Sequence, residues 1–338
     1  MPDSFANSAR LVRLSTLADR PPPAAPRVAL RRLDSLWFQV AGTVCNLACT
    51  HCFISCSPGN RSFGFLDYDT VLRALAESQS LGVKEYYFTG GEPFLHPRLP
   101  DMLAATLAIG PATVLTNGTL LSDKAVAALA RMRDASIYSL ELRVSIDGPD
   151  APSNDRIRGA GAFARAIEGV RRLVAAGFLP IVTMAQTWDD ADATAVYQQM
   201  RQALLSVDYA RPRIKLLPAL RIGAEALRSR GYLDVERVTP AMMEQFDATA
   251  LLCATGRIVS DRGVHVCPIL IEEPDALLAP TLGEGARADF GLGHQACYTC
   301  WLHGAICANA GAAAPETPAG RAVAAAAAPS GAPMVGSG

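Results

Sequence analysis

The run Ala41-Gly42-Thr43-Val44-Cys45-Asn46-Leu47-Ala48-Cys49-Thr50-His51-Cys52-Phe53 holds three cysteines, separated by three and then two residues. Three thiolates this close suit a cubane iron–sulfur cluster. Full coordination of such a cluster normally takes four cysteines, so one iron is left open. An iron without a protein thiolate can bind a substrate or cofactor. A zinc site or buried free thiols are the blander alternatives for the same residues.

The rest of the chain fits an enzyme-sized globular protein. Its 338 residues are half apolar, enough for one large core or two domains. A net charge of −1 gives no broad electrostatic case for nucleic acid or an anionic membrane. No apolar run approaches the ~18 residues that span a bilayer. The N-terminus lacks an apolar secretory core despite Arg10 and Arg13. Nine cysteines is an odd count, and the tight spacings read as metal binding rather than a disulfide framework. A reducing cytoplasm is the expected location.

Hydrophobic periodicity divides the chain further. Residues 1–34, rich in Pro and Arg, read as a flexible arm or edge covering, too short for a domain that grips a leader peptide. Residues 312–338 are nearly all Ala, Gly, Pro and Ser and read as a disordered tail. Between them, strands are expected at 37–40, 85–89, 113–116, 140–146, 181–185 and 213–217. Helices are expected at 68–81, 99–107, from Ser122 to 132, at 163–176 and at 190–204. In the first helix Val71, Leu72 and Leu75 share the expected apolar side. Such alternation implies a parallel sheet with right-handed crossovers. In Leu140–Ile146, Glu141, Arg143 and Ser145 take one face and apolar residues the other. A strand buried on both sides is normally apolar throughout, so the polar face looks into a polar cavity.

Thr89-Gly90-Gly91-Glu92-Pro93 follows a strand about 40 residues after the cysteines. With the Cys-x3-Cys-x2-Cys run, it makes the chain resemble the radical SAM superfamily. That resemblance implies an α/β fold: a partial (β/α)6 TIM-like barrel over residues 35–220. It implies that Cys45, Cys49 and Cys52 ligate a 4Fe–4S cluster whose open iron is chelated by S-adenosylmethionine. Reductive cleavage then yields a 5′-deoxyadenosyl radical that abstracts a substrate hydrogen. By the same resemblance, Thr89, Gly90, Gly91 and Glu92 bind the methionine ammonium, and Ser145 contacts the ribose. Asn117 stands at the end of the third strand, where α/β sheets bind ligands. His51 packs against adenine or serves as a free metal ligand. Arg156 or Arg158 reaches the methionine carboxylate, with Arg156 the assigned one. Asp147 fixes a turn or touches ligand. Cys56 lies outside the triplet as an inert small residue or a thiol in the cleft.

A second cysteine group occupies residues 221–311. Cys253 and Cys267 are separated by thirteen residues, and Cys297 and Cys300 form a Cys-x2-Cys pair that reads as a knuckle. These four suffice for one four-thiolate site, with Cys307 surplus. The segment resembles the auxiliary-cluster domains called SPASM and twitch, and five cysteines fit a single second 4Fe–4S cluster. A structural zinc site is the competing reading. Together these features imply an oxidoreductase that passes an electron from a substrate radical to the second cluster. The substrate is a small metabolite or a peptide or protein side chain, and a reductant such as flavodoxin or ferredoxin is a partner. Lys215, Asp261, His265, Glu272 and Glu273 are candidate bases by position. The alternative class is an iron–sulfur sensor or assembly protein without turnover.

Overall fold

The computed structural model describes residues 25–304 and residue 306. Cys307, the tail at 312–338 and residues 1–24 of the arm lie outside the described residues. The described residues form eleven strands: β1 Arg27–Ala29, β2 Ser35–Gln39, β3 Glu85–Thr89, β4 Ala112–Thr116, β5 Leu140–Ser145, β6 Ile181–Ala185, β7 Arg213–Leu217, β8 Gly256–Ser260, β9 Gly263–His265, β10 Leu277–Ala279 and β11 Asp289–Gly291. The longer helices are α1 Tyr68–Ser80, α2 Leu99–Leu107, α3 Asp123–Asp134, α4 Ala151–Arg158, α5 Ala162–Ala175 and α6 Ala193–Leu205. Three short ones follow, α7 Ala224–Arg228, α8 Pro240–Met243 and α9 Leu282–Gly285, before α10 Ala296–His303.

Nine strands form one sheet in the order β10-β9-β8-β2-β3-β4-β5-β6-β7. Strands β2 to β7 are mutually parallel, and β8 runs parallel along the other side of β2. The two ends of the sheet do not pair, so this is an open α/β arrangement rather than a closed barrel. Residues 25–34 are not a loose arm: Val28 is buried and β1 pairs antiparallel with β11.

Strand alternation sorts the residues onto two faces. Leu36, Phe38, Tyr86, Phe88, Val114, Leu142, Val144, Val182 and Met184 pack outward in one core with the helices. Trp37, Tyr87, Leu115 and Ile258 point the other way and share a second core with Cys45 and Cys267. There the Trp37 and Tyr87 rings stack at 4.2 Å, nearly parallel. On β5, Arg143 belongs to this inner face: it is buried, with its guanidinium 5.3 Å from the Tyr87 ring centre. The polar face expected for this strand therefore does look inward.

Local chemistry places the helix ends. Ser122 Oγ accepts from the Ala125 N–H at the start of α3, as its position before the apolar run predicts. Asp150 does the same for α4 through Ser153, a helix that adds to those expected from periodicity. In α1 the buried side is Val71, Ala74, Leu75 and Ser78; Leu72 is exposed instead of sharing it. The expected knuckle at Cys297 and Cys300 is the start of helix α10.

Candidate metal centres and their surroundings

The first cysteine group lies on the loop that follows β2. Its shape rests on three close approaches. Gly42 has φ +54°, and a side chain there would meet the Phe63 carbonyl. A Cβ on Gly90 would stand 2.7 Å from the Ala41 nitrogen, and one on Gly91 only 2.0 Å from the Val44 oxygen. The Glu92 N–H donates to that same Val44 oxygen at 3.0 Å. The Gly-Gly-Glu segment and the cysteine loop are thus pressed backbone to backbone, which only glycine permits.

N–H groups point at the sulfurs. Leu47 N lies 3.4 Å from Cys45 Sγ, and Cys56 N lies 3.2 Å from Cys52 Sγ. Asn117 Nδ2 approaches Cys45 Sγ at 3.7 Å while donating to Asn46 Oδ1 at 2.9 Å. Such donors favour thiolates. Burial acts against them, pushing Cys45 up to about 11 and Cys49 up to about 12. Cys52 is lowered instead, chiefly by a hydrogen bond from Cys56, whose own thiol is raised. Cys56 is therefore packed beside the triad. A bound cation is what brings buried thiols to the anionic form, so this donor set fits a metal cluster.

Glu92 is fully buried, and its two oxygens are both engaged. Oε1 accepts from Thr116 Oγ1 at 2.7 Å and from Phe94 N at 3.1 Å; Oε2 accepts from Asn117 N at 2.7 Å. The resemblance implies that this carboxylate meets a ligand ammonium. Here it braces the ends of β3 and β4. Burial still dominates and pushes it up to about 7.

Asp147 is a second buried hub. Its Oδ2 meets His51 Nε2 at 2.8 Å and Arg158 Nε at 2.6 Å, and Oδ1 accepts from Ala185 N at 2.7 Å. Burial works to raise its pKa, but Arg158, His51 and the Ala185 N–H outweigh it and hold it below the usual carboxylate range. His51 Nδ1 has no hydrogen-bond partner among the described residues. Arg156, the assigned arginine, is exposed; Arg158 is buried, and its charge is felt at Cys49. The hydrophobic phase of α4 explains this difference: Asn154, Ile157 and Arg158 face inward while Arg156 faces out. Ser145 Oγ lies 3.2 Å from Thr183 Oγ1 on the inner side of the sheet.

The second cysteine group also converges. Cys253, Cys267, Cys297 and Cys300 line one cavity whose other walls are apolar, among them Leu252, Val266, Ile269 and Phe290. Burial pushes Cys253 up to about 12 and Cys297 well above the usual thiol range; Cys267 adds to both shifts. All eight described cysteines are free thiols. The set fits a buried four-thiolate metal site. Spacing alone pointed to this grouping, while its seat against β8 was not legible.

The candidate bases separate. Asp261 accepts from Gly64 N at 2.7 Å. His265 is buried against Ser260 Oγ at 2.9 Å, and burial lowers it to about 4. Lys215 sits on β7 opposite Thr183 of β6. Glu272 is pushed up to about 7 by burial, then by Cys52 and Glu273. Glu273, Asp275 and His294 form a group the sequence did not reveal, with His294 Nε2 2.9 Å from Asp275 Oδ1.

The open parallel sheet, the cysteine loop at the end of its first long strand and the glycine segment at the end of the next define a class. The family model of the radical SAM superfamily matches residues 40–194, and the chain carries a radical SAM domain, which takes a 4Fe–4S cluster and S-adenosylmethionine. Mycofactocin maturase MftC from Mycobacterium ulcerans is 28% identical over 228 residues, covering 67% of this chain and 57% of that protein. A GTP 3′,8-cyclase from Klebsiella pneumoniae is 34% identical over 140 residues, covering 40% of this chain and 41% of that one. The chain thus spans about half the length of these curated relatives. Streptococcus suis SuiB bound to precursor peptide SuiA shares the fold, with a TM-score of 0.59, 14% identity, and coverage of 77% and 66% of the two chains. No described helix is long and apolar enough to cross a membrane.

Proposed function

We propose that this chain is a radical SAM oxidoreductase whose second cysteine group holds an auxiliary 4Fe–4S cluster. The observation that carries this reading is the convergence of Cys253, Cys267, Cys297 and Cys300 on one apolar cavity. That cavity belongs to the same buried core as Cys45. A zinc brace needs no such continuity with the reaction centre.

Cys45, Cys49 and Cys52 hold the first cluster. When bound there, the first cluster with S-adenosylmethionine would supply radical hydrogen-abstraction chemistry, and a second cluster held by Cys253, Cys267, Cys297 and Cys300 would supply a one-electron acceptor. The chain's own residues orient and seal. Gly90 and Gly91 bring the end of β3 against the cysteine loop. Glu92 fixes Thr116 and Asn117 beside Cys45, leaving backbone carbonyls of the glycine segment for the methionine ammonium. Arg158, held by Asp147, is the cation for the methionine carboxylate. His51, whose buried Nδ1 has no partner among the described residues, would be left a ring nitrogen to offer the nucleoside. The stacked Trp37 and Tyr87 close the inner face below and exclude water.

The peptide-bound relative SuiB favours a peptide side chain as substrate. The GTP cyclase relative keeps a small-molecule substrate as the second reading. A flavodoxin or ferredoxin would supply the reducing electron. The test is anaerobic incubation with S-adenosylmethionine and dithionite. Wild type yields 5′-deoxyadenosine, and a chain with Cys45, Cys49 and Cys52 all changed to Ala yields none. Reconstituted wild type binds about eight irons on the four-thiolates-per-cluster rule, and the triple variant keeps about half. A triple variant holding one zinc and no iron would remove the auxiliary cluster from this reading.

A further inference from the structure

Arg257 is the second residue of β8 and has no exposed surface. Its guanidinium faces four backbone carbonyls. Nε donates to Gly285 O at 2.9 Å, Nη1 to Cys253 O at 2.7 Å and Gly256 O at 2.8 Å, and Nη2 to Ala288 O at 2.8 Å. No carboxylate pairs with it among the described residues. A guanidinium does not give up its proton in a protein. A buried charge is strongly disfavoured unless an opposite charge answers it. Carbonyl dipoles satisfy its N–H groups but supply no net charge.

The missing charge lies in the second cysteine site. Burial disfavours the Arg257 charge, and the groups that favour it are Cys253 and Cys267, both lining that cavity. Cys253 is also the residue whose carbonyl the guanidinium grips. The cation is therefore anchored to the backbone of one thiolate ligand and felt by two. A 4Fe–4S core with four thiolates is a net anion, and it gains one further negative charge on reduction.

We propose that Arg257 is the built-in counter-charge of the second cysteine site, where it favours the reduced state of an auxiliary 4Fe–4S cluster. The proposal rests on the auxiliary-cluster reading above. One electron enters the cluster; no bond forms or breaks, and no proton moves at Arg257. Arg257 is a positioning residue: it touches neither substrate nor reacting atoms. Its effect is to make the second site a better acceptor for an electron leaving a substrate radical. A brace role differs from this in one respect. A brace acts through hydrogen-bond geometry, while a counter-charge survives replacement by another cation.

The experiment uses the full chain with Cys45, Cys49 and Cys52 changed to Ala, so that only the second site titrates. Iron content is measured first, then the midpoint potential by dithionite titration followed by electron paramagnetic resonance. Arg257→Gln is expected to keep iron and to lose about tenfold in the one-electron reduction equilibrium, a shift of about 59 mV to more negative potential. Arg257→Lys, which keeps the charge and loses the planar fork, is expected to stay near the parent potential. Equal potentials in parent and Arg257→Gln, both with iron, overturn the proposal. So does an Arg257→Lys variant that holds iron but shifts as far as Arg257→Gln is expected to. If Arg257→Gln holds no iron, Arg257→Lys decides alone: parent potential supports the counter-charge, and loss of iron in both makes Arg257 a brace. A parent with zinc or no iron fails the auxiliary-cluster reading itself, a result visible before any substitution at Arg257.

Discussion

Glu92 Oε2 accepts a 2.7 Å hydrogen bond from the Asn117 N–H, so one buried carboxylate ties the end of β3 to the end of β4. Asn117 in turn reaches the Cys45 sulfur. The glycine segment, the third long strand and the cysteine loop are therefore positioned as one unit.

Glu92 gives this unit a pH dependence in the metal-free chain. Its native pKa of about 7 lies above its ordinary value, so the native state holds the proton more tightly. That contribution is fully present below about pH 4.5 and is lost as pH rises through about 7, a change of roughly 3 kcal/mol. Glu92→Gln keeps the acceptor for Thr116 and removes the titration. The difference in urea stability between wild type and Glu92→Gln should change between pH 5 and pH 8. A constant difference would mean that Glu92 does not titrate in this range.

Asp147→Asn should destabilise the chain by about 3–5 kcal/mol, because it leaves the buried Arg158 cation without its carboxylate. Arg158→Met added to it should recover much of that loss. Denaturant unfolding of the two variants checks this. A single-variant effect below about 1 kcal/mol, the size of a surface pair, would show that Arg158 finds another partner.

Gly91→Ala should empty the first centre alone. The new methyl group meets a backbone oxygen at 2.0 Å, and neither strand end can retreat without breaking the Glu92 bonds. Iron should fall to about half of wild type on the four-thiolates-per-cluster rule, with no 5′-deoxyadenosine formed. Full iron binding by Gly91→Ala would disprove the close fit.

Cys56→Ala should keep both clusters, since the triad needs no fourth thiol from its own loop. Cys253→Ala should lose the second cluster and leave S-adenosylmethionine cleavage in place. Iron analysis with product detection separates the two. Loss of cleavage on Cys56→Ala would make that thiol part of the first centre.

Much of this architecture was legible because local signals agreed with tertiary demand. β3, β6, β7 and α2 lie where periodicity puts them, and Ser122 caps α3. β8 was not legible. Its five residues are buried throughout, and Arg257 interrupts the apolar run that would have marked it. α4 was hidden because its sequence is mostly polar, with only a narrow buried side formed by Asn154, Ile157 and Arg158. The roles of Glu92 and Asp147 depend on contacts with residues distant in the chain, Thr116 and Asn117 for the first and His51 and Ala185 for the second, which spacing cannot show.

The parallel pairing of β8 with β2 also sets an order of events on the ribosome. β2 leads directly into the cysteine loop, yet one of its two neighbours is made far later in synthesis. At about 5–20 residues per second, β8 emerges roughly 10–45 s after β2. Until then the edge of β2 stands unpaired, an invitation to wrong partners. A settled seat for the first three cysteines therefore waits on β8, about 200 residues after the ligands themselves have been made.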